Sequence, residues 1–235
     1  MNELSTIQKI AVIAPPFILS VILHEVAHGW IAEKLGDPTA RNAGRLTLNP
    51  IPHIDLYWTI ILPILLYVST GGRFVLGGAK PVPINPYNFK NPRKDMALSS
   101  LAGPCANLLI AISCAIIVRV ILPVLNGILP PHLWDPMALP LKLMFLFGAF
   151  ISTALAVFNL IPIPPLDGSR IAYWLLPDRI AAVYYRLERF GIIIVFALFA
   201  FGLLGAVIWP IIITVLYFLL GDENLIFILG HFLKG

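Results

Sequence analysis

An all-α membrane protein that crosses the bilayer several times is the fold class this sequence predicts, and three observations predict it. Of 235 residues, 59% are hydrophobic and only 12% charged, against roughly 45–50% and about 25% in an ordinary soluble domain. The mean hydropathy is +0.89. The apolar residues gather in runs close to the ~20 that a spanning helix needs, divided by short basic or proline-rich stretches. No stretch is long and polar enough for a separate soluble domain. Residues 1–235 therefore read as one integral-membrane domain, with a core at about 7–175 and C-terminal membrane segments at about 190–233.

The elements follow in order. Residues 7–32 make the first span, with Pro15-Pro16 as an expected kink and His24, Glu25 and His28 near its far end. The polar start leads into it without a small-residue cleavage site, so the run does not read as a signal peptide. Residues 34–53 are polar. Residues 57–68 are apolar but short and carry Pro63, which favours a re-entrant segment over a crossing, since irregular backbone is tolerated at membrane depth when buried in protein. Residues 71–95 are rich in Gly, Pro and Asn. Residues 96–122 and 141–160 are further spans, joined by a loop at 123–140 that lacks Lys and Arg. Residues 190–220 are apolar, and Gly202, Gly205 and Pro210 offer places to divide them into two short spans. The expected total is five to six membrane segments. Short edge strands at 47–52 and 74–83, limited by their prolines, are candidate additions beside the site.

The net charge is +4. Its Lys and Arg residues sit in short loops, which fits orientation in a membrane rather than a nucleic-acid partner. The basic loops at 34–53, 71–95 and 170–189 are expected on the cytoplasmic side and 123–140 outside, provided that 57–68 does not cross singly. Cys105 and Cys114 share one span. At ~1.5 Å per residue they stand ~13 Å apart, beyond the ~7 Å limit for a disulfide.

The chemistry begins at His24-Glu25-Val26-Ala27-His28. Two histidines four apart share a helix face and can reach one metal ion. The intervening Glu is rotated off the pair, where it can act on water without ligating the metal. In a soluble helix the same letters are often ordinary surface residues. Here a run from Ile10 to Leu23 without charge leads into them, and ionisable groups in such a segment usually face an interior site. Catalytic zinc uses three protein ligands and keeps a position for water. The third ligand has to come from His53, Asp55, His132, Asp135, Asp167 or His231. Asp167 stands out because Pro162, Pro164 and Pro165 prevent a regular helix just before it. Alone, Asp167-Gly168 would be an ordinary turn or cap. His53 and Asp55 read most simply as a polar pair at the membrane interface.

His24-Glu25-x-x-His28, Ala102-Gly103-Pro104-x-x-Asn107 and Asn159-x-x-Pro162-x-Pro164-x-Leu166-Asp167-Gly168 together resemble the site-2 protease family, integral-membrane zinc metalloproteases of regulated intramembrane proteolysis. The resemblance covers residues 24–168 and is to the compact form without a PDZ domain. It implies one Zn²⁺ on His24, His28 and Asp167, with Glu25 as the general base toward a zinc-activated water. It implies that Asn107 and Asn159 position the substrate backbone. The substrate class would be a transmembrane protein or peptide, the setting a prokaryotic cell membrane, with the site toward the cytoplasm. Two other readings of the residues remain: a homologue that binds membrane proteins without cutting them, and a divalent-metal transporter. A transporter would show half-repeats or a longer polar path, and the sequence has neither.

Overall fold

The computed structural model describes residues 6–69 and 77–232. Its principal helices are α1 (Thr6–Lys34), α2 (Pro92–Ile128), α3 (Pro131–Asn159), α4 (Asp167–Leu175), α5 (Asp178–Arg186), α6 (Gly191–Ala200), α7 (Leu203–Leu220) and α8 (Asp222–Phe232). Four of them, α1, α2, α3 and α7, are long and apolar enough to cross a membrane. Between 22% and 39% of each spanning window is buried within the protein, so most of this apolar surface faces outward, where hydrocarbon rather than water can cover it.

Among the described residues, four candidate spans replace the five to six segments expected from the sequence. The helical turns at 56–69 reach only ~21 Å at ~1.5 Å per residue, short of the ~30 Å hydrocarbon core. The apolar run at 190–220 breaks at Gly202, whose φ of 71° is left-handed backbone that suits glycine. That leaves the 10-residue α6 and the 18-residue α7, and only α7 has spanning length. The expected loop at 123–140 is helical on both sides of a break at residues 129–130. A wide turn at Ile117–Ile121 carries α2 past Pro123, which has no N–H to return. Pro131 opens α3, where a missing N–H leaves nothing unsatisfied.

The expected edge strands are also absent: among the described residues there is no β-strand. Residues 47–52 form bends and part of a 3₁₀ turn (Ile51–His53). Residues 77–85 form no regular structure, and Pro81 and Pro83 supply no N–H for a ladder. The part of the expected strand at 74–76 lies outside the described residues.

Helix packing depends on small residues, as it does where lipid removes the hydrophobic drive for association. α2 packs against α1, α3 and α4, and α3 packs against α1 and α7. Ala111, Ala149 and Ala156 are fully buried. A Cβ on Gly148 of α3 would stand 2.9 Å from Cys114 Sγ on α2 and 3.3 Å from Pro16 Cβ on α1. Ser20 on α1 and Ser152 on α3 join their hydroxyls at 2.7 Å. Away from these contacts, α2, α3, α7 and α8 share an apolar core that includes Val118, Leu146, Leu216 and Ile228. Cys105 and Cys114 are free thiols.

Segments 35–55 and 77–91 cover the end of the bundle where α1 finishes. Asp37 ties them together. Its buried carboxylate accepts the Asn85 N–H at 2.7 Å, the Asn88 side-chain amide at 2.7 Å and the Thr39 N–H at 3.1 Å, with the Thr39 hydroxyl as a further donor. Burial alone would raise the Asp37 pKa, but the donors from Thr39, Asn88 and Asn85 outweigh it and hold it below the ordinary value. A depressed carboxylate contributes stability that is present above about pH 4 and is lost as pH falls through the folded-state pKa. Asp37→Ala is expected to lower stability by about 2–3 kcal/mol at neutral pH. The difference from wild type should shrink as the pH drops below about 4, read from unfolding in detergent across pH.

Candidate metal centre

α1 presents His24 and His28 one turn apart on its inward face, both buried. Asp167, the first residue of α4, reaches them from the other side. His24 Nε2 and His28 Nε2 are 2.9 Å apart, and Asp167 Oδ2 is 3.2 Å from the first and 3.3 Å from the second. Ligand atoms at ~2.0–2.1 Å from a tetrahedral zinc are separated by about 3.3 Å, so the triangle has the size a zinc ion requires. Its chemistry fits as well. Asp167 Oδ2 is buried without a hydrogen-bond donor. His28 Nδ1 lies 2.8 Å from the Ser99 carbonyl, to which it donates, leaving the Nε2 lone pair aimed at the centre. Three electron-pair donors converging on one point match a divalent cation. Among the described residues, these three form the one such cluster of His, Cys, Asp and Glu.

Each donor is held by its own local structure. Ser99 on α2 secures His28 twice, because its hydroxyl also donates to the His28 carbonyl at 2.9 Å. Asn107 on α2, fully buried, places its side-chain amide 3.2 Å from His24 Nδ1. Gly103 lies between these two residues on the same helix. A Cβ there would overlap His28 Nε2 and come within 2.7 Å of His24 Cε1, so only glycine lets α2 approach the imidazoles. The Ala102-Gly103-Pro104-x-x-Asn107 pattern thus has a steric reason.

Asp167 owes its position to the irregular segment 160–166. A Cβ on Gly168 would overlap the Leu160 carbonyl, and one on Gly191 would overlap the Pro164 carbonyl. Tyr184 donates its hydroxyl to the Pro162 carbonyl at 2.8 Å. Arg170 and Glu188 pair across α4 and the turn after α5. The proline-broken approach expected from the sequence is present, and two glycines and a tyrosine clasp it.

Glu25 follows His24, turned by ~100° around α1. It is half-buried, and its Oε2 accepts the Val82 backbone N–H at 2.8 Å. The other ligand candidates lie elsewhere. His53 is buried against the Thr47 carbonyl at 3.0 Å, Asp55 accepts the Tyr57 N–H at 2.9 Å, and His231 bonds within α8. His132 and Asp135 are exposed near the start of α3. Asn159 donates to the Leu155 carbonyl one turn back in its own helix. The sequence reading missed Ser99, for which no sequence signal exists. It also missed Val82, whose signal was its place between two prolines.

Gly103→Ala and Asp167→Ala are each expected to reduce bound metal from near one equivalent toward zero, measured by elemental mass spectrometry on purified protein. Full occupancy in Gly103→Ala would refute the steric argument.

A family model described as peptidase family M50 matches residues 135–203, the region that carries Asp167. The chain is 36% identical over 195 residues to "Putative zinc metalloprotease YwhC" of Bacillus subtilis, covering 83% of each chain. It is 30% identical over 168 residues to "Putative zinc metalloprotease Rip2" of Mycolicibacterium smegmatis, covering 72% of this chain and 58% of that one. It is 28% identical over 153 residues to "Putative zinc metalloprotease MJ0611" of Methanocaldococcus jannaschii, covering 65% and 64%. No solved structure matches the chain. With a relative this similar over most of both lengths, and a His–His–Asp centre inside a bundle of membrane-spanning helices, the chain belongs to peptidase family M50, the site-2 protease family of intramembrane zinc metalloproteases.

Proposed function

We propose that His24, His28 and Asp167 hold a single Zn²⁺ ion and that Glu25 is the general base for hydrolysis of peptide bonds in transmembrane segments of membrane-protein substrates. The observation that carries this reading is the triangle of His24, His28 and Asp167 donor atoms, with a carboxylate on the residue next to His24. Bound zinc supplies Lewis acidity, acidifying water and polarising a carbonyl oxygen.

The chain's own residues do the rest. Ser99 and Asn107 fix the imidazole orientations. Because His24 Nε2 faces the centre, its Nδ1 carries the proton; Asn107, whose side-chain nitrogen stands 3.2 Å from that Nδ1, receives it once its amide is turned over to present Oδ1, which is otherwise buried without a partner. This makes Asn107 an orienting residue for His24 rather than a direct contact to substrate. Glu25 takes a proton from the attacking water and returns it to the leaving nitrogen. Asn159, at the end of α3 just before the segment carrying Asp167, is the proposed contact to the substrate backbone. The helix of a substrate has to unwind locally before attack, since its peptide groups are already hydrogen-bonded within it.

The proposed orientation places the metal end toward the cytoplasm of a prokaryotic cell. The end of α1, the start of α2 and the end of α3 meet there, beside the basic segments with Arg41, Arg45, Lys80, Lys90, Arg93 and Arg170. Hydrogen bonds that join 35–55 to 77–91, from Lys80 to His53 and from Asn85 to Asp37, support both segments lying on one side, as the charge rule requires.

Glu25→Gln is expected to keep its metal and lose at least 10²-fold in cleavage rate, assayed on a quenched-fluorescent transmembrane peptide in proteoliposomes. Cleavage at the wild-type rate would remove Glu25 as the base. For orientation, a cysteine at position 41 in a Cys105→Ser, Cys114→Ser background should react with an impermeant maleimide only in inside-out vesicles, and one at 132 only in right-side-out vesicles. The reverse pattern would overturn the topology.

A further inference from the structure

We propose that the Val82 backbone N–H is a positioning group for Glu25, and that the irregular segment around it is a brace held rigid by Arg45, His53 and Asp37. The proposal deepens the protease reading and rests on it. In Pro81-Val82-Pro83 the two prolines have no N–H, so Val82 holds the one backbone donor of the triplet, and that donor points at Glu25 Oε2 at 2.8 Å. The valine side chain fixes the crossing point. It is buried, and a Cβ on Gly29, one turn beyond Glu25 on the same face of α1, would stand 2.9 Å from Val82 Cγ1. Val82 therefore touches α1 at two successive positions of one face.

The segment is tied down on both sides of that contact. Two residues before Val82, Lys80 gives its N–H to the His53 carbonyl at 2.8 Å and takes a hydrogen bond on its own carbonyl from the buried Arg45 guanidinium. Three residues after it, the Asn85 N–H is received by Asp37. His53 is steadied in turn by the Thr47 carbonyl. The buried side chains of Arg45 and Asp37 and the His53 carbonyl, all from 35–55, thus grip the backbone that grips Glu25. Removing the donor lets the carboxylate rotate about its flexible stem, and misplacement of a reacting group by ~1 Å costs about 10²-fold in rate. Arg45 and Asp37 act only through this segment. They are positioning residues, not catalytic ones.

The test uses the full chain in proteoliposomes and a quenched-fluorescent Leu/Ala transmembrane peptide with a central Gly-Pro. Val82→Pro removes the N–H and is expected to keep its zinc and its KM while kcat falls about 10²-fold. Val82→Ala, which keeps the N–H, should fall less. Arg45→Ala should lower kcat about tenfold at constant KM and zinc content, with Arg45→Lys recovering part of the loss. A separate readout needs no activity: amide exchange across 77–91 should rise at Val82 in Glu25→Ala while protection of Lys80 and Asn85 persists. Zinc-loaded Val82→Pro with wild-type kcat, or unchanged Val82 exchange in Glu25→Ala, overturns the proposal. If Val82→Pro does not fold, the exchange result and the Arg45 pair decide it. Should the Glu25→Gln protein cleave at the wild-type rate, the assignment of Glu25 as the base fails, and the exchange result still reports whether the brace exists.

Discussion

Two imidazole nitrogens and a carboxylate oxygen, each within 3.3 Å of the others, are a costly thing to build inside a bundle whose outside faces hydrocarbon. Unpaired polar groups in such surroundings each cost several kcal/mol. The surrounding structure answers that cost residue by residue. Ser99 satisfies the outer nitrogen of His28, Asn107 lies against that of His24, and the remaining convergence suits a divalent cation. α2 is consequently the organising helix although it contributes no ligand. It carries both orienting residues and the glycine gap that lets them approach.

The same constraint shapes the packing. Helices that must hold donor atoms to within tenths of an ångström need close backbone approach, and lipid offers no hydrophobic push to supply it. Glycine at 103 and 148, alanine at 111, 149 and 156, and the Ser20–Ser152 hydroxyl pair provide it instead. On the other side of the centre, Gly168 and Gly191 allow two carbonyls of the 160–166 segment to lie where any side chain would collide. A short polar layer closes the end of the bundle. Arg45 and His53 spend hydrogen bonds on backbone there, and Asp37 joins backbone and side-chain donors, giving an otherwise irregular cover a defined shape.

Much of this was legible in the residues. His24, Glu25 and His28 were readable because helical periodicity sets their relative directions and a charge-free run makes their presence costly. Asp167 was readable from the prolines before it and from the family pattern. The count of spans was not, because hydropathy sees apolar length but not where a chain turns. Gly202 broke one expected run, and the turns at 56–69 were too short to cross. The opposite error occurred at 123–140, where prolines suggested a loop and the helix absorbed them with one wide turn and a helix start. The expected strands failed on donors: a segment with Pro81 and Pro83 cannot sustain a ladder, and its N–H groups went to His53, Glu25 and Asp37 instead.

The sequence by itself determined the membrane setting, the helical class and three of the groups proposed to carry the chemistry, because composition, periodicity and the price of a buried charge are local properties. Only the tertiary structure decided how Asp167 comes within reach of both histidines, which residues orient them and what holds Glu25. Those depend on distances between segments dozens of residues apart: Asp167 to His24 and His28, Ser99 to His28, Val82 to Glu25. No spacing along one chain encodes such distances; they follow from how closely small residues let the helices approach.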